Sequence, residues 1–235
     1  MSIQGGQRLL LSDHELEQTA VVANNAMNRE RGLSGVNSYA RGLGLDPVDW
    51  LSSRHGKPAW LDLCSGEAHA LITAAATLGN DVTVTGVDLV GRLSPGPSPQ
   101  NLELVTASLA RWSPTRTHDL ITCVHGLHYL GDKLGLLARA ASWLTPDGML
   151  IAHLDPDSLR LEDGRPAARP MLRALRAAGF QYDSRRHLIA LHGLRTVALP
   201  FTYLGADPNA GPNYTGQPAV ASYYRPSPEI APERE

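Results

Sequence analysis

From residue 58 onward, short apolar runs alternate with segments of helical period, and that alternation restricts the fold more than any other feature. The runs fall at 59–64, 82–88, 102–105, 119–124 and 149–154, with helical patterns at 67–78, 108–112 (short) and 131–144 between them. Strands separated by crossovers of this length imply a parallel, doubly wound α/β sheet. A helix at 167–178 follows, then strands at 187–192 and 195–201, joined by His192-Gly193-Leu194, which is short enough for a hairpin. The expectation is a mostly parallel seven-stranded sheet over 58–204 that ends in an antiparallel hairpin.

The flanks read differently. Ser12 and Glu15 have capping-box spacing, and Leu16, Ala20, Ala23 and Met27 fall on one helical face. The stretch NNAMNRERGLSGVNSYARGLGL is polar and glycine-rich, and Asp46-Pro47 then starts a short helix, PVDWLSSR. Residues 1–57 are therefore expected to form an N-terminal helical lid. The tail FTYLGADPNAGPNYTGQPAVASYYRPS is almost uncharged and rich in Tyr, Asn and Gly, whereas disordered tails are charged and poor in aromatics. Residues 205–235 are expected to cap the sheet's open edge through Asn213, Tyr214, Gln217, Tyr223 and Tyr224, helped by Tyr203, with PEIAPERE frayed.

Composition excludes several classes. At 235 residues and 43% hydrophobic, the chain can bury one α/β core. A net charge of −2 leaves no footprint for nucleic acid or an anionic membrane surface. No apolar stretch approaches the ~18 residues of a membrane span. MSIQGGQRLLLSDHELEQ lacks the basic region and long apolar core of a signal peptide. Two cysteines without CxxC spacing suggest neither a disulfide framework nor a zinc site, so a reducing cytoplasmic setting is the simpler reading.

The motif that carries chemistry is WLDLCSGEAHALI, residues 60–72: a strand ending in an acid, a small-residue turn, then a helix start. In open parallel sheets, ligands sit beyond the carboxyl ends of the strands, where strand order reverses. Small residues let the backbone approach a ligand, and a helix N-terminus offers free N–H groups. The second strand, DVTVTGVDLV, ends in Asp88. It lies about 20 residues past Gly66, where an acid can accept hydrogen bonds from a ribose diol. The plain alternative is a solvated turn residue.

These features resemble the class I S-adenosylmethionine-dependent methyltransferases, and in particular a small bacterial methyltransferase-like branch. The family's loop, roughly D/E-x-G-x-G-x-G, falls on Asp62, Cys64, Gly66 and Ala68, so two of its glycines are replaced by small residues. DLITCVHGLHYLGDKLGLLARAASWLTPDGMLIAHLD, residues 119–155, is similar to the family's fourth strand, its helix and the L-x-P-x-G-x-L turn into the fifth. The similarity covers about 58–155, and the hairpin extends it to about 204. An NAD-type Rossmann enzyme is the other reading of the loop, but it fits the fourth-strand text and the hairpin less well.

The resemblance implies an S-adenosylmethionine-binding core of Rossmann-like fold. It would hold the cofactor with Asp62, Cys64, Ser65, Gly66, Asp88, Leu89, Ser108, Leu109, His125 and Gly126, together with Asn28, Arg29 and Tyr39 from the lid. Asp62 is expected both to cap the loop's N–H groups and to lie near the cofactor's amino acid. After the third strand, family members often place an acid against the adenine. Ala107-Ser108-Leu109 departs from that, and the Ser108 hydroxyl either meets the exocyclic amine or caps a helix. His125, Tyr39 and Tyr214 are the catalytic candidates. An imidazole of ordinary pKa, ~6.5, can act as a base, and the rival for His125 and His128 is packing against the lid. No third ligand stands near that pair, so a metal is discounted. Tyr129 is a wall candidate, and Cys64 and Cys123 should lie close together as small core residues. In the lid, Asn24, Asn25, Asn28, Arg29, Glu30, Arg31, Asn37 and Tyr39 suit the carboxylate and ammonium of a methionyl group. A salt-bridged turn is the rival for Arg29, Glu30 and Arg31.

The activity implied is methyl transfer to a small molecule, in bacterial secondary metabolism, with no nucleic-acid or membrane partner and the oligomeric state open. A second reading is a cyclase of the same fold, in which the cofactor's own amine or Cα attacks its γ-carbon. That would release methylthioadenosine and azetidine-2-carboxylate or 1-aminocyclopropane-1-carboxylate. A third is a non-catalytic scaffold that kept the fold.

Overall fold

All five residues of AWLDL, β1 (Ala59–Leu63), are buried, as a strand covered on both faces must be. The computed structural model describes residues 9–23, 30–93 and 96–227 and places β1 inside a seven-stranded sheet. Its other strands are β2 (Thr83–Asp88), β3 (Leu102–Thr106), β4 (His118–Cys123), β5 (Leu144–His153), β7 (Gln181–Asp183) and β8 (Leu188–His192). The order is β3-β2-β1-β4-β5-β8-β7, parallel except where β8 pairs with β5 and β7. The order reverses between β1 and β4, and the site lies beyond their carboxyl ends.

Two cores flank the sheet. One joins it to α6 (Lys133–Ser142) and α7 (Ala168–Ala177) through Leu136, Leu137, Met171 and Leu175. The other joins it to α3 (Tyr39–Leu43), α4 (Pro47–Ser52) and α5 (His69–Leu78) through Leu43, Leu51, Leu71 and Ala74. The local start signals hold. Asp46 caps α4 by accepting from Val48 N at 2.8 Å, with Pro47 in the first turn. Ser12 and Glu15 close the capping box of α1 (Asp13–Glu17). The predicted helical face does not continue: the chain breaks at Gln18–Thr19 before α2 (Ala20–Ala23), Ala20 is exposed, and Met27 lies outside the described residues.

The seven-stranded sheet and its terminal antiparallel pair are as expected, but the hairpin is set differently. It joins β7 to β8, not 187–192 to 195–201. With three residues and only Tyr182 partly covered, β7 carries almost no periodic signal. Asp183 closes the turn by accepting from the amides of Arg185 and Arg186 at 2.9 and 3.2 Å. Leu194 and Arg195 instead donate to Thr145 O and Ala141 O, which ties that segment to β5 and α6. The helix expected at 108–112 is a turn closed by Trp112 N on Ser108 O at 2.9 Å, with Pro114 just beyond.

The tail is ordered, as a second sheet docked at the start of α6 and not along an edge strand. β6 (Leu159–Leu161), β9 (Phe201–Asp207) and β10 (Ala221–Pro226) form it in the order β6-β10-β9. β9 runs across residue 204, where core was expected to give way to cap. Tyr223 and Tyr224 are buried, and the Tyr224 hydroxyl accepts from Leu134 N at 3.1 Å and donates to Asp132 at 3.2 Å. Leu11 pairs with Ala206 at 2.8 and 2.9 Å, so α1 is fastened to β9. The frayed end expected over PEIAPERE lies outside the described residues.

Candidate functional site

After β1 the backbone turns through left-handed conformations at Cys64 (φ 64°), Gly66 (φ 59°) and Ala68 (φ 60°). Glycine tolerates this freely, and the other two positions hold small side chains. Cys64 N and Ser65 N both donate to Val87 O, at 2.8 and 3.1 Å, and Gly66 N donates to Asp88 Oδ2 at 2.9 Å. Asp88 Oδ1 accepts from Val90 N at 3.0 Å. Asp88 thus shapes the loop, a task the sequence suggested for Asp62. Asp88 also lines the cavity described below.

The loop after β4 closes against this turn. A Cβ on Gly126 would sit 2.6 Å from Cys64 Sγ and 2.8 Å from Cys123 Sγ, so only glycine fits. The two thiols do meet. A hydrogen bond to Cys123, then burial, pushes the Cys64 thiol well above its ordinary pKa, and both cysteines are free.

A cavity opens where the strand order reverses. It runs from Cys64 and Gly66 past Asp88 and Leu89 to Ala107, Leu109 and Ala110 beyond β3. Val124, Gly126, Tyr129, Asp132 and Arg139 form another wall, and Asp13, Leu16, Glu17 and Val22 of the N-terminal helices close it. Of the predicted cofactor residues, Cys64, Gly66, Asp88, Leu89, Leu109 and Gly126 line this space. Ser65 is buried behind the loop, and Ser108 donates to Glu17 Oε1 at 2.5 Å. Asn28 and Arg29, like Asn24 and Asn25, lie outside the described residues. Arg31 donates to Asn37 at 2.5 Å, and Glu30 is exposed.

Asp62 and Tyr39 form a buried pair behind the cavity wall. Asp62 accepts from the Tyr39 hydroxyl at 2.7 Å and from the Thr122 hydroxyl, which in turn accepts from Trp60 Nε1 at 2.8 Å. Burial pushes the Asp62 carboxyl up to about 7, although both hydroxyl bonds pull it down. Burial, then the Asp62 charge, pushes the Tyr39 hydroxyl well above its usual value. Tyr39 also packs edge-on to Trp60, 6.0 Å between ring centres.

His125 sits in a left-handed turn (φ 61°) and belongs to a cluster of rings. It stacks on His153 at 3.9 Å, and its Nδ1 lies 3.4 Å from His128 Nε2 and 3.4 Å from the Tyr214 hydroxyl. Tyr214 stacks on His187 at 3.8 Å. Burial first, then neighbouring cationic groups, lowers His125 to about 2 and His128 and His153 to about 3. All three are neutral at ordinary pH, and burial raises the Tyr214 hydroxyl. Nδ1 of His128 and of His153 has no hydrogen-bond partner. His153 and His187 escaped the sequence reading because only the strand order brings the ends of β5 and the β7–β8 turn beside the β4 loop. Among the described residues, no three His, Cys, Asp or Glu side chains are placed to hold a metal ion, and no helix is long and apolar enough to cross a membrane.

The strand order, the terminal antiparallel pair and an opening at the switch point define a Rossmann-like methyltransferase fold. The chain belongs to the methyltransferase-domain family, whose model matches residues 37–196. No curated protein matches it. Among solved structures it is similar to PKMT2 from Rickettsia typhi in complex with AdoHcy, at 19% identity and TM-score 0.34, covering 41% of this chain and 20% of that one. It is similar to SAM-bound CalS10, an amino pentose methyltransferase from Micromonospora echinaspora, at 22% identity and TM-score 0.36, covering 48% and 52%. It is also similar to the N-methyltransferase NodS from Bradyrhizobium japonicum WM9 in complex with S-adenosyl-L-homocysteine, at 14% identity and TM-score 0.43, covering 78% and 98%. The chain thus spans a fifth of the first of these proteins and about half of the second.

Proposed function

We propose that the chain is an S-adenosylmethionine-dependent methyltransferase acting on a small molecule. The observation that carries this is Asp88, at the carboxyl end of β2 beside the cavity, fixed by the amides of Gly66 and Val90. A carboxylate at the end of the second strand suits a ribose diol, and the apolar side chains of Leu89 and Leu109 suit a nucleobase. The small-residue turn at 64–68 lets the methionyl end approach the backbone. When bound, S-adenosylmethionine supplies a methyl group already activated by a sulfonium.

The chain's task is then to position the acceptor and exclude water. An imidazole that takes a proton only near pH 2 is a weak base, so His125 orients an acceptor by hydrogen bonding and does not deprotonate it. In this reading Tyr214, 38% exposed and stacked on His187, covers that acceptor. Tyr39 acts indirectly, by holding Asp62 beneath the loop.

The test is to incubate the chain with S-adenosylmethionine alone, then with candidate small acceptors, and to identify the nucleoside product by mass spectrometry. Methyl transfer gives S-adenosylhomocysteine, and only when an acceptor is present. Methylthioadenosine formed without an acceptor, far above a heat-killed control, would overturn the proposal in favour of intramolecular cyclisation.

A further inference from the structure

The wall of the cavity beyond β3 is built from two distant parts of the chain. The segment after β3, Ala107-Ser108-Leu109, contributes no carboxylate. Its one polar side chain, Ser108, donates its hydroxyl to Glu17 at 2.5 Å, across 91 residues of sequence. Glu17 itself lines the cavity, as do Leu89, Ala107, Leu109 and Asp88.

Glu17 is held there by everything around α1. The Ser12–Glu15 capping box fixes the helix start, and Leu11 pairs with Ala206. The Tyr203 hydroxyl donates to Asp13 at 2.9 Å, and Leu16 is buried against Ala206 and Val220. Glu17 is also the last residue of α1, where a negative charge gains nothing from the helix dipole. Among the described residues it has no ion pair. A half-buried carboxylate, oriented by a hydroxyl and facing an apolar slot, is a hydrogen-bond acceptor that has capacity left over.

The geometry points to Glu17 as the residue that reads the base of the bound nucleoside, accepting from an exocyclic amine of a purine stacked against Leu89 and Leu109. This rests on the nucleoside reading of the cavity proposed above and adds the source of base selectivity, which is the N-terminal helix and not the β3 loop. An aminopurine presents a donor to the carboxylate. An oxopurine presents a carbonyl oxygen there, so two acceptors face each other and the half-buried carboxylate lacks that donor.

The test is calorimetric titration of the full chain with S-adenosylhomocysteine and with S-inosylhomocysteine, which carries an oxo group for the amine and a proton on the neighbouring ring nitrogen N1. The wild type should prefer the adenine compound by about 10- to 100-fold, the range for a hydrogen bond to a charged group. Glu17→Gln keeps an oxygen for Ser108 and gains an NH₂ donor, so it should bind S-inosylhomocysteine more tightly than the wild type does. Misfolding cannot imitate that gain. Asp88→Ala should weaken both compounds alike and leave their ratio unchanged. If the wild type binds the adenine compound but Glu17→Gln leaves the ratio at its wild-type value, Glu17 is not the reader and the nucleoside site stands. If the wild type binds neither compound, the nucleoside reading falls and the assignment of Glu17 falls with it.

Discussion

Replacing Tyr39 by Phe removes one hydroxyl and leaves the ring on Trp60, so the change isolates a single hydrogen bond to a carboxylate that is 0% exposed. Losing a bond to the ionised carboxylate costs about 1.5–3 kcal/mol, and losing one to the neutral acid costs about 0.5–1.5 kcal/mol. The difference, about 1–1.5 kcal/mol, corresponds to roughly one pH unit. Asp62 should therefore titrate about one unit above its present value of about 7 in the variant. The sign follows from linkage. The folded carboxyl binds its proton more tightly than the unfolded one, whose pKa is ~3.9, so stability falls as pH rises through the interval between the two values. In Tyr39→Phe that decline extends further, so the variant's deficit should grow from about 1 kcal/mol at pH 6 to about 2–3 kcal/mol at pH 9. Urea unfolding of both proteins at the two pH values measures this, and other titrating groups cancel in the difference. A deficit equal at both pH values, or larger at pH 6, would refute the reasoning.

Asp88→Ala should weaken binding of S-adenosylhomocysteine by about 1.5–3 kcal/mol in a calorimetric titration, and an unchanged affinity would count against its role. Gly126→Ala forces a methyl group onto both cysteine sulfurs, so it should destabilise the fold by about 1–3 kcal/mol and lower the melting temperature. Burial holds His118 near 4, His125 near 2, and His128 and His153 near 3, so the stability these neutral rings provide is present above the unfolded value of ~6.5 and is lost as pH falls. Each should cost up to about 2 kcal/mol by pH 5, partly offset by Asp62, and a urea midpoint that stays level from pH 7 to pH 5 would contradict this.

What the sequence made legible was local. The capping box of Ser12 and Glu15, the Asp46-Pro47 start, the turn at Gly66 and the acid ending β2 each depend on residues a few positions apart, and each is found as read. The failures share a cause too. β6 and β7 have three residues each, too short for a period of two to stand out, so the sequence pattern puts the hairpin turn at 192–194 where the structure has it at 184–187, and reads the second sheet as a cap. Tyr39 looked like a ligand contact because polar residues crowd around it. Its partner, Asp62, is 23 residues away, and the sequence does not signal that pairing. The acid missing after β3 is supplied by Glu17, which local spacing cannot reveal.

One buried lysine ties the loop after β4 to the tail. Lys133 is fully buried, and burial lowers its pKa to about 7. Its Nζ donates to Leu130 O at 2.9 Å, Val220 O at 2.8 Å and Ser222 Oγ at 2.8 Å, which uses all three donors of an ammonium. The first bond fixes the loop after β4. The other two fix β10, which pairs with β9, which in turn holds Leu11 at the start of α1. A buried ammonium is costly unless every proton is matched, and here the matching groups come from two separate stretches of chain, the loop after β4 and the tail. The arrangement is satisfied only when loop and tail are in place together. The N-terminal segment, which looks like an independent addition in the sequence, is joined to that unit by β9: Leu11 pairs with Ala206, the Tyr203 hydroxyl donates to Asp13, and Asp13 and Glu17 line the cavity.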